Sequence, residues 1–274
     1  MRIGVVAPST PIRPEAADRV IAAAARNYSG VEVRFHPQCF LTSGHFAGSD
    51  EERAEALIDM ANDPAIDAIW FARGGHGSCR IAEDVLARLG AAARTKTYLG
   101  YSDAGFLLAG LYRQDIGHVA HGPMPNDIMR EGGEAAVARA LAWLVEGSVG
   151  SLEPGLDPAG KAAAFNIMVL SQLLGTALEP DLSGHVLLLE EVSEYTYRTD
   201  RSMFHITGHA SIRKAAGIRL GRCTLVPEND PSFGVDEESV VRFWCGRAGI
   251  PYLGSADIGH DSDNRIVPFG RLTK

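Results

Sequence analysis

Short apolar runs alternate with helical periodicity through the first half of the chain. Residues 3–7 form a compact apolar run and predict a buried strand. Residues 15–25 are alanine-rich, follow Pro11 and Pro14, and predict a helix. The same reading gives a strand at 31–35, then a helix at 50–62 with Ser49 or Asp50 as its cap and Glu52 in its first turn. Strands follow at 65–72 and 97–100, with a helix at 78–89 between them. A helix at 104–113, a short strand at 118–121 and a helix at 133–145 complete the series. Strand–helix alternation at this spacing predicts a doubly wound parallel sheet of the flavodoxin-like kind. Ligands of such sheets sit beyond the carboxyl ends of the strands.

The texture then changes. Residues 147–160 are rich in Gly, Ser and Pro, lack periodicity, and predict a linker between an N-terminal domain at 1–146 and a C-terminal domain at 161–274. Beyond the linker the pattern predicts a helix at 165–174, a strand at 185–189, a helix at 200–210, a strand at 221–226, a helix at 237–248 and a strand at 252–254. This is a second, smaller α/β domain, and no internal repeat or low-complexity tract interrupts it.

Composition narrows the function classes. The 274 residues carry a net charge of −8, so no basic field draws nucleic acid or anionic lipid to the surface. No stretch approaches the about 20 apolar residues of a membrane span, and the apolar run after Met1 is too short for a signal peptide; the expected compartment is the cytoplasm. Cys39, Cys79, Cys223 and Cys245 show no C-x-x-C spacing, and the nine histidines form no metal motif. No metal or cofactor is expected.

Two segments carry candidate chemistry. Tyr98-Leu99-Gly100-Tyr101-Ser102-Asp103 is a strand ending in a glycine turn that presents a serine and enters a helix. Hydrolases expose a hydroxyl nucleophile at such a turn, and the helix N-terminus behind it offers N–H donors to a developing anion. The competing reading is a plain helix cap by Ser102 or Asp103, because the second glycine, Gly105, falls one residue late for G-x-S-x-G. Arg73-Gly74-Gly75-His76-Gly77 follows another apolar strand and can bring backbone donors close to a ligand; alone it reads equally as a turn or a phosphate-binding loop. Both segments fall at carboxyl ends of predicted strands. A serine nucleophile needs a base and an orienting partner. Glu190 and Glu191 end an apolar strand, and His260 lies in a glycine-containing turn, although strand-end carboxylates and loop histidines are commonly just solvated.

These motifs together resemble the LD-carboxypeptidases, a family that includes muramoyl-tetrapeptide carboxypeptidases and microcin C self-immunity peptidases. The resemblance runs from Ala7-Pro8-Ser9 through Phe46-Ala47-Gly48-Ser49-Asp50-Glu51-Glu52-Arg53, the two segments above and His121-Gly122-Pro123-Met124. It continues through Leu189-Glu190-Glu191-Val192-Ser193-Glu194 and Tyr197-Arg198-Thr199-Asp200-Arg201 to Asp257-Ile258-Gly259-His260. It implies a flavodoxin-like N-terminal domain and a swivelling-type C-terminal domain. It also implies a Ser–His–Glu triad of Ser102 as nucleophile, His260 as general base and Glu190 as its partner, with the amides of Gly75 and Asp103 as oxyanion hole. Arg73, Gly74, His76, Tyr101, Asn166 and Arg201 fall at substrate-binding positions; for Arg73 and Arg201 a structural ion pair is the alternative. The implied substrate is a murein peptide ending in D-alanine, and the implied assembly a homodimer.

Three residues in two motifs depart from the family pattern, and the linker region is shorter than is usual in the family. Ala164-Phe165-Asn166 stands where Gly-Gly-Asn is usual, and His76 stands where tyrosine is usual. Three other readings compete: a related serine amidase acting on a peptidyl-nucleotide antibiotic, a non-catalytic binding protein on the same scaffold, and an α/β-hydrolase. The second predicts a lost triad residue, and none is lost. The last predicts G-x-S-x-G and an upstream HGGG-type oxyanion loop, neither of which is in this chain, and here a linker divides the triad between two units.

Overall fold

The computed structural model describes residues 1–272, which form two sheets. The first half runs β1 (Arg2–Val6), α1 (Pro14–Asn27), β2 (Glu32–Phe35), α2 (Asp50–Asn62), β3 (Ala68–Phe71), α3 (Ser78–Arg88), β4 (Thr97–Gly100), α4 (Gly105–Arg113), β5 (His118–His121) and α5 (Gly133–Glu146). The five strands pair in parallel in the order β5-β4-β3-β1-β2, the flavodoxin-like arrangement, with its switch point between β1 and β3. β3 is buried at every residue, as a parallel strand covered on both faces must be. The predicted cap of α2 is a full capping box: Ser49 Oγ accepts from Glu52 N while Glu52 accepts from Ser49 N.

The second half runs β6 (Lys161–Asn166), α6 (Ile167–Leu173), β7 (His185–Val192), α7 (Thr196–Gly208), β8 (Gly217–Thr224), α8 (Glu237–Ala248) and β9 (Tyr252–Ser255). These strands pair in parallel in chain order. Two short strands end the described chain. β10 (Val267–Pro268) adds antiparallel to β5 in the first sheet, and β11 (Gly270–Arg271) adds antiparallel to β6 in the second. One strand segment thus joins the edges of both sheets. The stretch at 147–160 is also held: Leu152 bridges Ile266, and the buried Glu153 pairs with Arg219 at 2.8 Å.

Several expected boundaries shift. The helix expected at 165–174 is the end of β6 followed by α6. Three alanines before Phe165 favour a helix locally, but β6 lies between β7 and β11, and burial of small side chains overrides that propensity. The strand expected at 221–226 is β8, which begins four residues earlier at Gly217, where a Cβ would lie 2.6 Å from Leu253, and ends at Thr224. The strand expected at 185–189 continues through both glutamates, which are buried. The helix expected at 200–210 begins four residues earlier, at Thr196.

The units meet where α4 approaches α6. A Cβ on Gly105 would lie 2.9 Å from Val169, so the late glycine of the serine motif serves close packing between the two units. A single apolar cluster runs without a break from Phe71 and Leu107 through Phe165 and Leu170 to Leu187 and Leu189. No helix among the described residues is long and apolar enough to cross a membrane.

Arg53 on α2 is fully buried and ties together the loops after β1 and β3. It donates to Pro8 O and, at 2.9 Å, to Gly77 O; it also pairs with Asp50 and lies 4.8 Å over the Phe46 ring. Arg53→Met keeps most of the volume but leaves two carbonyls without their donor. The expected loss is about 3 kcal/mol of unfolding free energy in urea titration, with an unchanged slope. A loss below about 1 kcal/mol would mean that these carbonyls find other partners.

Candidate active site

Ser102 stands where β4 ends. It has φ = 59°, one of four described non-glycine residues at positive φ, and opens a short 3-10 turn leading into α4. Gly100 lets the strand end pack tightly, since a Cβ there would lie 2.8 Å from Phe71. A serine in the left-handed region at a strand-to-helix turn is sterically costly and holds its hydroxyl out from the sheet. The cap reading is not realised: no side chain caps this turn or α4. The Asp103 carboxylate turns away from its own helix and accepts from Ser78 N at 2.8 Å, at the start of α3.

The loop after β3 passes directly over Ser102. A Cβ on Gly74 would lie 2.7 Å from Ser102 Oγ and 3.6 Å from Asp103 N. Gly75 has φ = 113°, which L side chains rarely adopt. Among the described residues, neither the Gly75 nor the Asp103 amide donates a hydrogen bond. Two backbone donors are therefore left free next to one serine: Asp103 follows Ser102 in the chain, and Gly75 follows Gly74, which lies against it. Arg73 is exposed and donates to Pro11 O at 3.2 Å. His76 is exposed beside His45 and Phe46, with ring centroids 6.3 and 6.2 Å away.

His260 comes from the loop after β9. Its Nδ1 lies 2.6 Å from Oε2 of Glu190, which is fully buried on β7. Its ring packs 4.7 Å from that of Tyr101, the residue before Ser102. Its Nε2 is buried and unpartnered among the described residues, and no hydrogen bond joins it to Ser102 Oγ. Burial alone would depress this imidazole's pKa, but the charge and hydrogen bond of Glu190 more than offset it, so the pKa is raised. Nδ1 facing a carboxylate fixes the tautomer: Nδ1 carries the proton and Nε2 is left free to accept one.

The His260 loop is held from the other unit. Arg130, just past β5, donates to His260 O and pairs with Asp127 at 3.1 Å. Asp127 also accepts from Tyr101 OH at 2.9 Å. Arg139 on α5 donates to Ser262 O and Asn264 O at 3.0 and 2.9 Å. Asn264 Oδ1 accepts from Gly259 N at 3.2 Å and faces His121 Nε2 at 3.3 Å. Burial pushes the His121 pKa down to about 4, so this ring is neutral and fills the wall beside Tyr101. Asp127, Arg130 and Arg139 escaped the sequence reading because they reach the site only through long-range contacts; Asn264, five residues from Gly259 in the loop itself, carries no motif that marks it.

The remaining candidates divide. Asn166 caps α6, accepting from Val169 N at 3.1 Å, and donates to Glu191 at 2.6 Å. Burial first, then the neighbouring Glu190 charge, raises the Glu191 pKa to about 7. Arg201 lies exposed on α7 with its guanidinium 5.1 Å over the Tyr197 ring, and no hydrogen bond or ion pair joins it to the Ser102–His260 cluster among the described residues. No group of three or more His, Cys, Asp and Glu side chains that could hold a metal occurs among those residues.

Two family models cover most of the chain: the LD-carboxypeptidase N-terminal domain matches residues 3–122, and the LD-carboxypeptidase C-terminal domain matches residues 159–274. This chain belongs to the LD-carboxypeptidase family. Among its relatives, the murein tetrapeptide carboxypeptidase of Pseudomonas aeruginosa is 26% identical over 290 residues, covering 98% of this chain and 91% of that protein. The Synechocystis protein slr1534, whose name places it among the carboxypeptidases, is 31% identical over 284 residues, covering 98% and 89%. The crystal structure of muramoyltetrapeptide carboxypeptidase from Oxalobacter formigenes superposes with a TM-score of 0.82 at 24% identity, covering 97% of this chain and 93% of that one. The structure of MccF in complex with glutamyl sulfamoyl guanosine superposes with a TM-score of 0.81 at 19% identity, covering 98% and 91%. At these identities the two structures establish the fold, two-domain α/β, which is the class expected from the strand–helix pattern. Membership of this family makes the chain a hydrolase of the peptidase class.

Proposed function

We propose that this family member is a serine LD-carboxypeptidase that releases terminal D-alanine from murein tetrapeptide in cytoplasmic turnover of cell-wall peptides, as a homodimer. The observation that supports it most is the buried Glu190–His260 pair set against the turn that carries Ser102. Ser102 Oγ attacks the scissile carbonyl while His260 Nε2 takes its proton. The Gly75 and Asp103 amides receive the oxyanion, where a preorganised donor contributes about 3 kcal/mol. His260 then protonates the departing D-alanine amine. Water, deprotonated by the same imidazole, hydrolyses the acyl-enzyme. Glu190 stabilises the imidazolium in both halves.

Arg73 and His76 are the proposed rim that meets the substrate's free carboxylate, because both are exposed on the loop that covers Ser102. Arginine suits this role through its bidentate fork. Gly74 gives the substrate backbone room to approach. Tyr101 and Asn166 direct polar atoms at Asp127 and Glu191, so their proposed part is to hold the walls of the site. Arg201, stacked on Tyr197, is the weaker candidate of the two arginines.

Purified enzyme incubated with murein tetrapeptide is expected to release D-alanine and leave the tripeptide, while the same peptide ending in L-alanine is left intact. Absence of D-alanine release would sink the substrate assignment. Hydrolysis of a glutamyl sulfamoyl nucleoside in its place would favour the amidase reading. Nothing at the site favours that reading at present: Trp70 is buried under Pro123, Trp143 is packed on α5 and Trp244 lies between Phe204 and Phe243.

A further inference from the structure

Ser9 and Thr10 follow β1 at the switch point of the first sheet, and both are buried. The Ser9 hydroxyl grips Asp103 itself, and the Thr10 hydroxyl grips the carbonyl of the peptide unit whose N–H is the free Gly75 amide. Thr10 Oγ1 donates to Gly74 O at 2.6 Å. The peptide unit is planar and trans, so Gly74 C=O and Gly75 N–H point in opposite directions, and fixing the carbonyl aims the amide. The same loop is boxed on both sides. A Cβ on Gly75 would lie 2.4 Å from Thr10 Cγ2, just as one on Gly74 would strike Ser102. Ser9 Oγ donates to Asp103 Oδ2, and Ser78 Oγ donates to Asp103 O, so Asp103 is clamped at both its carboxylate and its carbonyl.

We propose that Ser9 and Thr10 are positioning residues that set the aim and separation of the Gly75 and Asp103 amides as an oxyanion hole. The inference rests on the serine-peptidase reading above. The physical need is plain. Gly74 and Gly75 have no side chains with which to lock their own backbone, and a glycine loop left to itself samples many conformations. An oxyanion hole works only if its donors are held in place before charge develops. Two adjacent buried hydroxyls in the bend after β1 supply that restraint without touching substrate. Thr10 also places its methyl where a Cβ at position 75 would otherwise go, which accounts for glycine there on steric grounds.

The test uses an alkyl fluorophosphonate, so that it does not depend on the identity of the peptide substrate. Ser102 Oγ attacks phosphorus, the P–F bond breaks, fluoride leaves, and the serine proton passes to His260. The phosphoryl oxygen takes the place of the peptide oxyanion. Thr10→Val keeps the side-chain shape and removes the donor; Thr10→Ser keeps the donor. Thr10→Val is expected to be labelled about 10- to 100-fold more slowly than wild type, and Thr10→Ser to recover most of that rate. Ser9→Ala is expected to slow labelling in the same direction. The pH dependence of labelling, which reports His260, should be the same in all of them, and Tm should fall by no more than about 6 °C, the cost of one lost buried hydrogen bond. If wild type is labelled at Ser102 and Thr10→Val is labelled equally fast, the inference falls and the serine-peptidase reading stands. A slowed Thr10→Val that Thr10→Ser does not rescue, or whose pH limb moves, overturns it as well, because the residue then acts by packing. If Ser102 of the wild type is not labelled, both readings fall together.

Discussion

Ser102→Ala is expected to lower kcat/KM for D-alanine release by about 10⁵-fold or more, while leaving the fold intact. The substitution removes one oxygen and nothing else. Ser102 Oγ has no hydrogen-bond partner among the described residues, so its loss leaves no buried donor or acceptor stranded. Alanine keeps the Cβ and therefore the strain of φ = 59°. Ser102→Gly would relax that strain, and is expected to stabilise the protein by about 1 kcal/mol while being equally inactive. A nucleophile held at a backbone cost behaves in this way, and a structural serine does not. Chromatographic detection of D-alanine together with thermal denaturation checks both halves. If Ser102→Ala retains more than a few per cent of the wild-type rate, Ser102 is not the nucleophile.

The second large effect concerns charge. Glu190→Gln is nearly isosteric, but it changes His260 in two ways. Burial pulls the His260 pKa down, while the charge and hydrogen bond of Glu190 raise it above the ordinary histidine value. With the charge gone, burial is the largest remaining influence, joined by the nearby Arg130 charge, and the pKa falls below that value. The base must be neutral to accept the Ser102 proton. The acid limb of kcat/KM therefore lies above the ordinary histidine pKa in wild type and moves to lower pH in the variant. The plateau falls by about 10³- to 10⁴-fold, because a glutamine can present its amide N–H to Nδ1 and so turn the ring to the wrong tautomer. The two changes have opposite consequences at low pH, which makes the profile diagnostic. An acid limb that stays in place would mean that a group other than His260 titrates there.

The long-range geometry also shows why the loop bearing His260 behaves as part of the first unit. Arg130, Arg139 and His121 all belong to the segment after β4, yet they hold residues 259–264 by side chain and backbone. β10 then carries the chain into the first sheet. The base is thereby fixed relative to the serine by contacts on the serine's own sheet, while its carboxylate partner comes from β7 of the other.

Local sequence determined the elements of the first half and the chemistry available at their ends. The alternation of apolar runs with capped helical segments is a property of neighbouring residues, and β1 to α5 follow it closely. Ser49 and Glu52 form their capping box within one turn, so this too was legible. The glycine and serine turns were visible as turns for the same reason. What local sequence could not determine was which of these residues meet. Three alanines in β6 favour a helix until β7 and β11 flank them. Glu190 and Glu191 read as a strand reaching solvent until the units pack and bury both. Asp103 reads as a cap until Ser9 and Ser78, 94 and 25 residues away, claim its oxygens. Helix and strand propensities act over a few residues, whereas burial and hydrogen-bond satisfaction are settled by whatever the fold brings alongside. The first kind of information is written along the chain; the second exists only once two sheets have closed on a shared core.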